Sequence, residues 1–503
     1  MTDPTNVHEP VPQSAKLTAR EKKWIIYDVG NSAFVLLSTA VIPIYAKSLM
    51  PADGNIVSAW GYAQTIASLV IALLMPLLGS IADVQGMKIK FFLGFFGTGV
   101  VTCCAMALPL TWLPFLVVYI LATIGLNGSL TFYDSMLIDA TSNERMDKVS
   151  SHGYGWGYIG STVPFIFCIA LIFGGPSLFD WSTVACTRAS FIITAIWWVA
   201  FTIPLLTSYR QVHYRATRDQ LGSAVRGTFS ELAGTFGKIV KNKPLWMFMI
   251  AFFFYIDAVN TVISMSTSYG AELGIDSTQL VVALLVTQFV AFPCAILYGR
   301  LAGRFGCKVM ITAAVVAYMC IVFFAAFFLK SAVEFWILAI LVGMFQGGIQ
   351  ALSRSYYGKI IPKDHANEYY GFYDIFGKTA SIIGTFLVAT TTSLTGNASF
   401  GVLSIAVLLV VALVFLLLQK DPTRANVLRH RRRTKFCLFT DASSHKQESN
   451  VGAGTQNGNP PTFRVSDVGA GPCFGRHRHK YHSWRRWWGI RCPTTVANRS
   501  QRR

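Results

Sequence analysis

Long apolar runs separated by short polar segments dominate the chain. A helix that crosses a bilayer needs about 20 mostly apolar residues, and twelve runs approach that length. The pattern predicts an all-α polytopic membrane protein with twelve transmembrane helices. The runs that contain Asp134 and Asp374 fit least well, because each includes an acid. The predicted spans are 25–46, 57–80, 91–110, 113–137, 154–174, 188–208, 245–267, 279–300, 309–329, 333–353, 371–392 and 399–419.

Basic residues fall almost entirely on alternate polar segments. Within residues 1–419, twenty-one Lys and Arg lie in the set that includes the N-terminal segment, and the other set holds only Lys47, Arg188 and Lys330. Cytoplasmic segments carry the excess of Lys and Arg, so the alternation predicts that both termini are cytoplasmic. The expected location is the cell (inner) membrane, or the vacuolar membrane if the source is a fungus.

The longest polar connection divides the spans into two sets of six. It is basic and contains Gly and Ser, which is typical of a cytoplasmic linker. The predicted organisation is a cytoplasmic N-terminal segment, a first six-helix bundle, the linker, a second six-helix bundle and a basic, disordered cytoplasmic tail. These parts cover 1–23, 24–208, 209–244, 245–419 and 420–503.

A sequence motif recurs at matching places in the two halves. GSIADVQGMK at 79–88 follows the second span, and GRLAGRFGCK at 299–308 follows the eighth. The glycines and the lysine keep their spacing, which predicts a duplicated six-helix unit with the two bundles related by pseudo-symmetry. Duplicated halves that meet at a midplane cavity are a common transporter plan. The motif residues assigned to conformational gating are Gly79, Asp83, Gly86, Lys88, Gly299, Gly306 and Lys308.

Composition excludes several classes of protein. The chain is 53% hydrophobic and 13% charged, whereas soluble chains carry about 25% charged residues. The ten cysteines form no C-x-x-C pair, so we expect no metal and no cofactor. The sequence has no recognisable catalytic nucleophile and no metal-ligand set, so we do not expect an enzyme. It also has no motif for nucleotide hydrolysis that could drive transport. GFYDIFGKT at 371–379 looks like a phosphate loop, but it has five residues between its glycines where that motif needs four.

The net charge of +19 is concentrated at the C-terminus. Residues 420–503 hold 18 Lys and Arg against 4 Asp and Glu, and therefore +14. The net positive charge thus lies in a tail and some loops and not in a nucleic-acid-binding fold, so we expect no nucleic-acid partner. The tail's Trp and Arg residues suit contact with anionic lipid. An equal alternative is that this end reads out of frame, because its mix of residues has no periodicity.

The motifs resemble those of the major facilitator superfamily. Its loop 2–3 motif is similar to 79–88, and the resemblance implies that the acid and base of that motif brace the cytoplasmic side. Gly303 replaces the acid in the second copy. A narrower resemblance, to the vacuolar-effluxer-like branch linked to autophagy, rests on WIIYDVGNSAF at 24–34, GGIQALSRS at 347–355 and EYYGFYDIFGK at 368–378. The compact core suggests a bacterial member.

Ionisable groups inside the predicted spans are candidates for the transport path, because they are costly in hydrocarbon. Asp28-x-x-Asn31 in the first span recurs as Asp257-x-x-Asn260 in the seventh. Each pair shares one helix face, and these faces are predicted to meet across the central cavity. An acid there could bind a proton during transport. For Asp28, a helix N-terminal cap or a structural bond is an equal alternative.

Further candidates lie on the fourth, tenth and eleventh spans. Asp374 and Lys378 are four apart and form either a functional pair or a neutralised structural one. Asp134 could simply lie near the cytoplasmic mouth. A polar helix face on the tenth span is predicted to line the cavity; it consists of Gln346, Gln350 and Arg354. The guanidinium of its last member could hold a carboxylate or phosphate, although a cytoplasmic anchor under the positive-inside rule is the favoured alternative.

The sequence and the resemblance together predict a secondary active transporter that works by alternating access. The resemblance makes a small polar metabolite the first substrate guess, with an amino acid in first place and efflux slightly favoured. Proton coupling is a hypothesis that rests on the buried acids. The expected partners are a small-molecule substrate, protons and the lipid bilayer, and we expect a monomer. The alternatives are a sugar or drug carrier, or a non-transporting membrane sensor or scaffold.

Overall fold

The computed structural model describes residues 16–51, 56–215, 232–272, 275, 277–380 and 382–423. The central part of the linker and nearly the whole predicted tail lie outside the described residues. Within the described ranges the chain is almost entirely α-helical, and an isolated bridge joins Val84 to Arg215. Apolar runs become helices because only a helix satisfies its backbone groups within the hydrocarbon core.

Fourteen helices of the described chain are numbered in order. The first half contains α1 (Ala19–Ala40), α2 (Ile42–Leu49), α3 (Ile56–Ala82), α4 (Met87–Ala105), α5 (Trp112–Ala140), α6 (Met146–Phe179) and α7 (Thr183–Ser208). The second half contains α8 (Lys243–Glu272), α9 (Ser277–Phe305), α10 (Cys307–Phe327), α11 (Ala332–Ile360), α12 (Ala366–Thr379), α13 (Ile382–Thr395) and α14 (Ala398–Leu418). A short helix at 232–241 precedes the second half, and a 3-10 turn at Lys363–His365 precedes α12.

The helices provide the twelve apolar spans that hydropathy predicts. Eleven stretches of the described chain are long and apolar enough to cross a membrane, and α1 with α2 makes a twelfth that bends by 46°. The bend falls at Val41, just before Pro43, since proline lacks the N–H that would continue the helix. The eleventh span is also broken, into α12 and α13, where Ala380 has extended backbone.

The helix ends lie outside the predicted spans at several places. Helix α1 begins at Ala19, where Thr18 and Glu21 form a reciprocal capping box. Helix α6 begins at Met146 rather than 154, because its first two turns are polar and extend beyond the apolar run. Hydropathy detects the hydrocarbon-facing part of a helix and misses such polar turns.

Contacts between the halves are made chiefly by two helix pairs. Helix α6 packs against α9, and α3 packs against α12. Both pairs come very close on the side where α3 ends and α12 begins: a Cβ added at Gly79 would lie 2.5 Å from the Asn367 carbonyl oxygen. Since this side carries the basic segments, it is called the basic face below, and the opposite side is called the far face.

Candidate transport site

A cavity of about 450 Å³ lies between the two halves. Along α1 its wall runs from Asp28 to Ala40, and along α11 it runs from Arg354 back to Phe335. In both helices the first-named residue is nearer the basic face. The cavity therefore has its floor toward the basic face and extends toward the far face. Its volume falls in the range of about 300–1,000 Å³ that is usual for small-molecule sites.

Arg354 of α11 forms the centre of the cavity floor and is 2% exposed. Its guanidinium donates to Asp134 Oδ1 at 2.8 Å and to the Ser150 hydroxyl at 3.0 Å, and it lies 3.4 Å from Asp28 Oδ2. These partners belong to the first half, so the cluster joins the two halves. The guanidinium is therefore buried between the halves, and not in solvent as a simple cytoplasmic anchor would be. Three aromatic rings also lie 4.4 to 5.5 Å from its guanidinium carbon, those of Trp24, Tyr133 and Tyr154.

Asp28 lies well inside α1 and not at its end. The Tyr133 hydroxyl donates to its Oδ2 at 2.8 Å, and Asn31 Nδ2 donates to its Oδ1 at 3.3 Å. Because Thr18 caps α1, the interpretation of Asp28 as a helix cap is wrong, whereas its bonds agree with the alternative of a structural role. Gly153 of α6 packs directly on this carboxylate: a Cβ there would lie 2.4 Å from Oδ2.

Asp374 and Lys378 of α12 both line the cavity. Asp374 accepts a short hydrogen bond from the Thr131 hydroxyl of α5, so it too connects the halves. Among the described residues, no carboxylate oxygen lies within 4 Å of Lys378 Nζ. The structural ion pair that their spacing allows is therefore not formed, and the half-buried ammonium of Lys378 faces the cavity.

Uncharged polar side chains supply the rest of the cavity's polar wall. Asn260, Gln346 and Gln350 line it, and the Tyr158 hydroxyl donates to Gln350 Oε1 at 3.0 Å. Gln288 also lines the wall, and its Oε1 has no hydrogen-bond partner among the described residues. The cavity thus presents amide groups as well as both signs of charge.

Asp257 is placed differently from its counterpart Asp28. It is fully buried and does not belong to the cavity wall, although Asn260 does. Its Oδ1 accepts from the Gly384 backbone N–H at 2.9 Å and from the Thr261 hydroxyl at 3.3 Å. The prediction that its carboxylate faces the cavity is therefore wrong. The broken eleventh span leaves N–H groups at the start of α13, and Asp257 accepts one of them.

The first copy of the repeated motif closes the basic face. Asp83 accepts from the backbone N–H of Asn367 at 2.9 Å, from its Nδ2 at 2.8 Å, and from the backbone N–H of Glu368 at 3.1 Å. A carboxylate from the first half therefore caps the N-terminus of α12 in the second half, where the helix dipole favours negative charge. Burial raises the pKa of Asp83 to about 7, although Lys88 and the two backbone N–H groups oppose that shift.

Lys88 of the same motif belongs to a second buried centre around Asp139. Its Nζ lies 2.8 Å from Asp139 Oδ2, and both side chains are fully buried. The Tyr209 hydroxyl donates to Oδ2 at 2.7 Å, and the backbone N–H groups of Val212 and His213 donate to Oδ1 at 3.0 and 2.9 Å. The start of the linker is thus fastened to the motif. Nothing in the sequence marks Asp139 apart from its position at the end of an apolar run.

Gly86, the residue just before α4, has φ of 75°, which is the left-handed backbone that glycine tolerates best. Its amide N–H donates to Gln211 Oε1 at 2.8 Å, a further contact between the motif and the linker. These interactions extend the attachment around Asp139 to the loop that carries Asp83.

The second copy of the motif makes different contacts. Gly299 packs against α6, where an added Cβ would lie 2.6 Å from Ser151 Cβ. Lys308 donates to the Gln419 carbonyl, and Gly306 has φ of 102° at the start of α10. In this part of the interface an ion pair closes the basic face: Lys359 Nζ lies 2.5 Å from Asp147 Oδ2. Spacing gave no sign of this pair, because its members are 212 residues apart.

Comparison with known proteins identifies the family. The sequence profile described as "Vacuole effluxer Atg22 like" matches residues 138–426. An uncharacterized MFS-type transporter, YxiO of Bacillus subtilis, is 44% identical over 422 residues, which are 82% of this chain and 97% of YxiO.

The chain belongs to the Atg22-like vacuole-effluxer family of the major facilitator superfamily. Autophagy-related protein 22 of Cryptococcus neoformans is a more distant relative of this Atg22-like chain. It is 26% identical over 302 residues, 56% of this chain and 50% of that protein. The match over 97% of a bacterial transporter is consistent with a bacterial member.

Solved structures support the fold of this Atg22-like protein. The transporter FucP of Escherichia coli has a TM-score of 0.61 at 14% identity, covering 80% of this chain and 98% of FucP. The human organic anion transporter MFSD10 has the same TM-score at 13% identity, covering 80% of this chain and all of MFSD10. The predicted major facilitator fold is confirmed, and the chain is a polytopic membrane transporter rather than an enzyme.

Proposed function

We propose that this transporter exports a small zwitterionic metabolite, with an amino acid as the first candidate, by alternating access between its two halves. The observation that carries the proposal is the composition of the cavity wall. It combines the carboxylates of Asp28, Asp134 and Asp374 with the cations of Arg354 and Lys378. A ligand that carries both an ammonium and a carboxylate would find a partner for each.

Lys378 is the proposed partner of the substrate carboxylate. Its ammonium lines the cavity and forms no ion pair among the described residues, whereas Arg354 is already held by carboxylates of the first half. The Asp374 carboxylate, one helical turn away, is the proposed partner of the substrate ammonium. Asn260 and Gln288 would then select the substrate by hydrogen bonding to its polar side groups.

The charged cluster at the cavity floor connects the substrate cavity with the closed basic face. Arg354 in the second half holds Asp28 and Asp134 in the first half. The basic face can open only if these contacts separate. A proton taken up by either carboxylate would weaken its attraction for Arg354, because the attraction depends on the negative charge. We therefore propose that the cluster couples proton movement to the opening of the basic face.

The distribution of basic residues supports an orientation with the basic face in the cytoplasm. In that orientation the described conformation has its cavity floor on the cytoplasmic side, and the cavity extends outward. A bacterial member would work in the cell membrane. We propose that substrate enters from the cytoplasm once the basic face opens, and leaves toward the far face.

Thermal stabilisation of the purified protein tests the substrate class. A ligand that binds the folded state raises the midpoint of thermal unfolding, so the protein is heated with amino acids, peptides, sugars and nucleosides at two pH values. The expected result is stabilisation by one or more amino acids, lost in Lys378→Gln. Stabilisation by sugars alone would favour a sugar carrier, and stabilisation by no member of the library would favour a sensor or scaffold.

Flux separates a transporter of this substrate from a protein that merely binds it. The protein is reconstituted into sealed vesicles, and the vesicles are loaded with the stabilising amino acid. Release of this amino acid is then followed with and without an imposed pH gradient. Release that depends on the gradient supports proton coupling. An equal rate of release with and without the gradient would indicate facilitated export and contradict proton coupling.

A further inference from the structure

We propose that the basic face carries a divalent-cation site formed by Asp83, His365 and Glu368, and that a bound ion holds this face closed. The site is of the kind that Zn²⁺ and similar transition metals occupy. This inference goes beyond the proposed transport function and does not depend on the identity of the substrate. It rests on side chains from two separate parts of the sequence, Asp83 on one side and the neighbouring His365 and Glu368 on the other, which meet across the interface between the halves.

One oxygen or nitrogen from each of the three residues lies within 4.8 Å of the other two. His365 Nδ1 is already 3.5 Å from Glu368 Oε2. Two ligands on a tetrahedral ion with bonds of about 2.0–2.1 Å are about 3.3 Å apart, so this pair is close to a binding geometry. The Asp83 ligand atom lies within 4.8 Å of the other two, so binding would draw the three ligand atoms together by at most about 1.5 Å.

Glu368 provides the independent sign of a ligand. It is 2% exposed, and its Oε1 has no hydrogen-bond partner among the described residues. A buried carboxylate oxygen without a partner loses its hydration and gains nothing in return. Asp83, at 1% exposure, places a second carboxylate beside it. A cation bound by this carboxylate would offset its loss of hydration and neutralise the repulsion between the two acids.

The other two residues can accept an ion without losing their present contacts. Asp83 accepts three hydrogen bonds, two at Oδ1 and one at Oδ2, and a carboxylate has about four acceptor positions. One position at Oδ2 therefore remains. The His365 side chain is 33% exposed, so the site has a path to solvent on the basic face. His365 can turn its Nδ1 to an ion when the imidazole is neutral.

The ligand set selects the class of ion. One imidazole nitrogen with two carboxylate oxygens suits Zn²⁺, Mn²⁺, Co²⁺ or Fe²⁺, while Mg²⁺ and Ca²⁺ prefer oxygen alone. Three protein ligands leave a position for water, as in open zinc sites. The sequence contains no recognisable metal motif here, because Asp83 is 282 residues from His365.

Ion binding has a consequence for transport because the ligands come from both halves. Asp83 belongs to the first half, and His365 and Glu368 belong to the second. Opening the basic face separates them and destroys the site. A ligand shifts an equilibrium by its difference in affinity for the two states. The ion therefore favours the closed basic face and opposes each step that requires this face to open.

Zinc chloride added to the full-length, chelator-treated protein tests binding. The midpoint of thermal unfolding is measured in wild type, in His365→Ala and in Glu368→Gln. Because the tail contains its own histidines, a matched control replaces His477, His479 and His482 with alanine. We expect a zinc-dependent rise in wild type and in the tail control. The zinc affinity should fall by about 100-fold or more in the site variants, since even groups behind a ligand contribute about 10–100-fold.

Two results would overturn the site: an unchanged zinc response in both site variants, or a response lost only in the tail control. If His365→Ala does not fold without metal, Glu368→Gln, which keeps the shape of the side chain, decides alone. Hydrogen exchange of the amides at Asn367 and Glu368 tests the closure without any substrate. We expect zinc to slow this exchange in wild type and not in His365→Ala. Zinc binding without slower exchange would refute the closing effect.

Discussion

Replacement of Asp83 by alanine should open the basic face more often. In the described conformation its carboxylate accepts the backbone N–H groups of Asn367 and Glu368 and the side-chain amide of Asn367. Alanine removes the acceptor. The two backbone N–H groups then lie buried without a partner while the face is closed, and they gain water when it opens. The substitution thus destabilises the closed state more than the open one.

The size of the effect follows from these three bonds. Loss of a helix-capping side chain costs about 0.5–2 kcal/mol, and the side-chain bond contributes about 0.5–1.5 kcal/mol. Removal of a buried charge offsets part of this, because burial raises the pKa of Asp83 to about 7. We expect a net change of about 1–2 kcal/mol, which corresponds to about 5- to 30-fold more of the open state.

Hydrogen exchange in chelator-treated buffer measures this change without a substrate. A peptide that contains Asn367 and Glu368 should exchange about 5- to 30-fold faster in Asp83→Ala than in wild type. Glu144→Ala is the matched control, since Glu144 is an exposed acid near the same face. Equal exchange in Asp83→Ala and the control would refute the view that this carboxylate holds α12 in place.

Three further substitutions have defined outcomes. Arg354→Met should lower the midpoint of thermal unfolding by the equivalent of about 3–5 kcal/mol, since it leaves buried carboxylates unpaired; an Arg354→Lys variant that is equally unstable would contradict a role for charge. Gly79→Ala should keep the basic face from closing fully, because its Cβ would lie 2.5 Å from the Asn367 carbonyl oxygen. Faster exchange at α12 should report this effect, and Gly97→Ala, with no atom within 4 Å of its Cβ, should match wild type. Asp257→Ala should cost about 0.5–2 kcal/mol of stability through loss of a cap; Asp257→Asn, which retains an acceptor oxygen, should cost clearly less if capping is its role.

Hydrophobic pattern predicts the spans well because each one must cover the same thickness of hydrocarbon. It does not locate the polar turns at helix ends, as the start of α6 at Met146 demonstrates. It also misses the break near Ala380, because the apolar composition continues through it. The bend at Pro43 has a residue signal, but the weight of apolar residues around it favours one continuous span.

The sequence predicts residues of the candidate site only where a charged residue stands out within an apolar run. Charges inside apolar runs point to Asp28, Asp374 and Lys378, and all three line the cavity. The same rule misplaces Asp257, because helix periodicity cannot reveal that a neighbouring span is broken and needs a cap. It also misses Asp139, whose importance comes from the folded linker rather than from its place in the sequence.

Exchange of labelled amino acids tests the central claim most directly. Vesicles containing the protein are loaded with unlabelled amino acids, and a mixture of all twenty in ¹³C-labelled form is added outside. We expect at least one labelled amino acid to accumulate above protein-free vesicles, with exchange about 10- to 150-fold slower in Lys378→Gln, because a hydrogen bond to a charged group contributes about 1.5–3 kcal/mol. No accumulation above protein-free vesicles would contradict the account, and so would full exchange in Lys378→Gln.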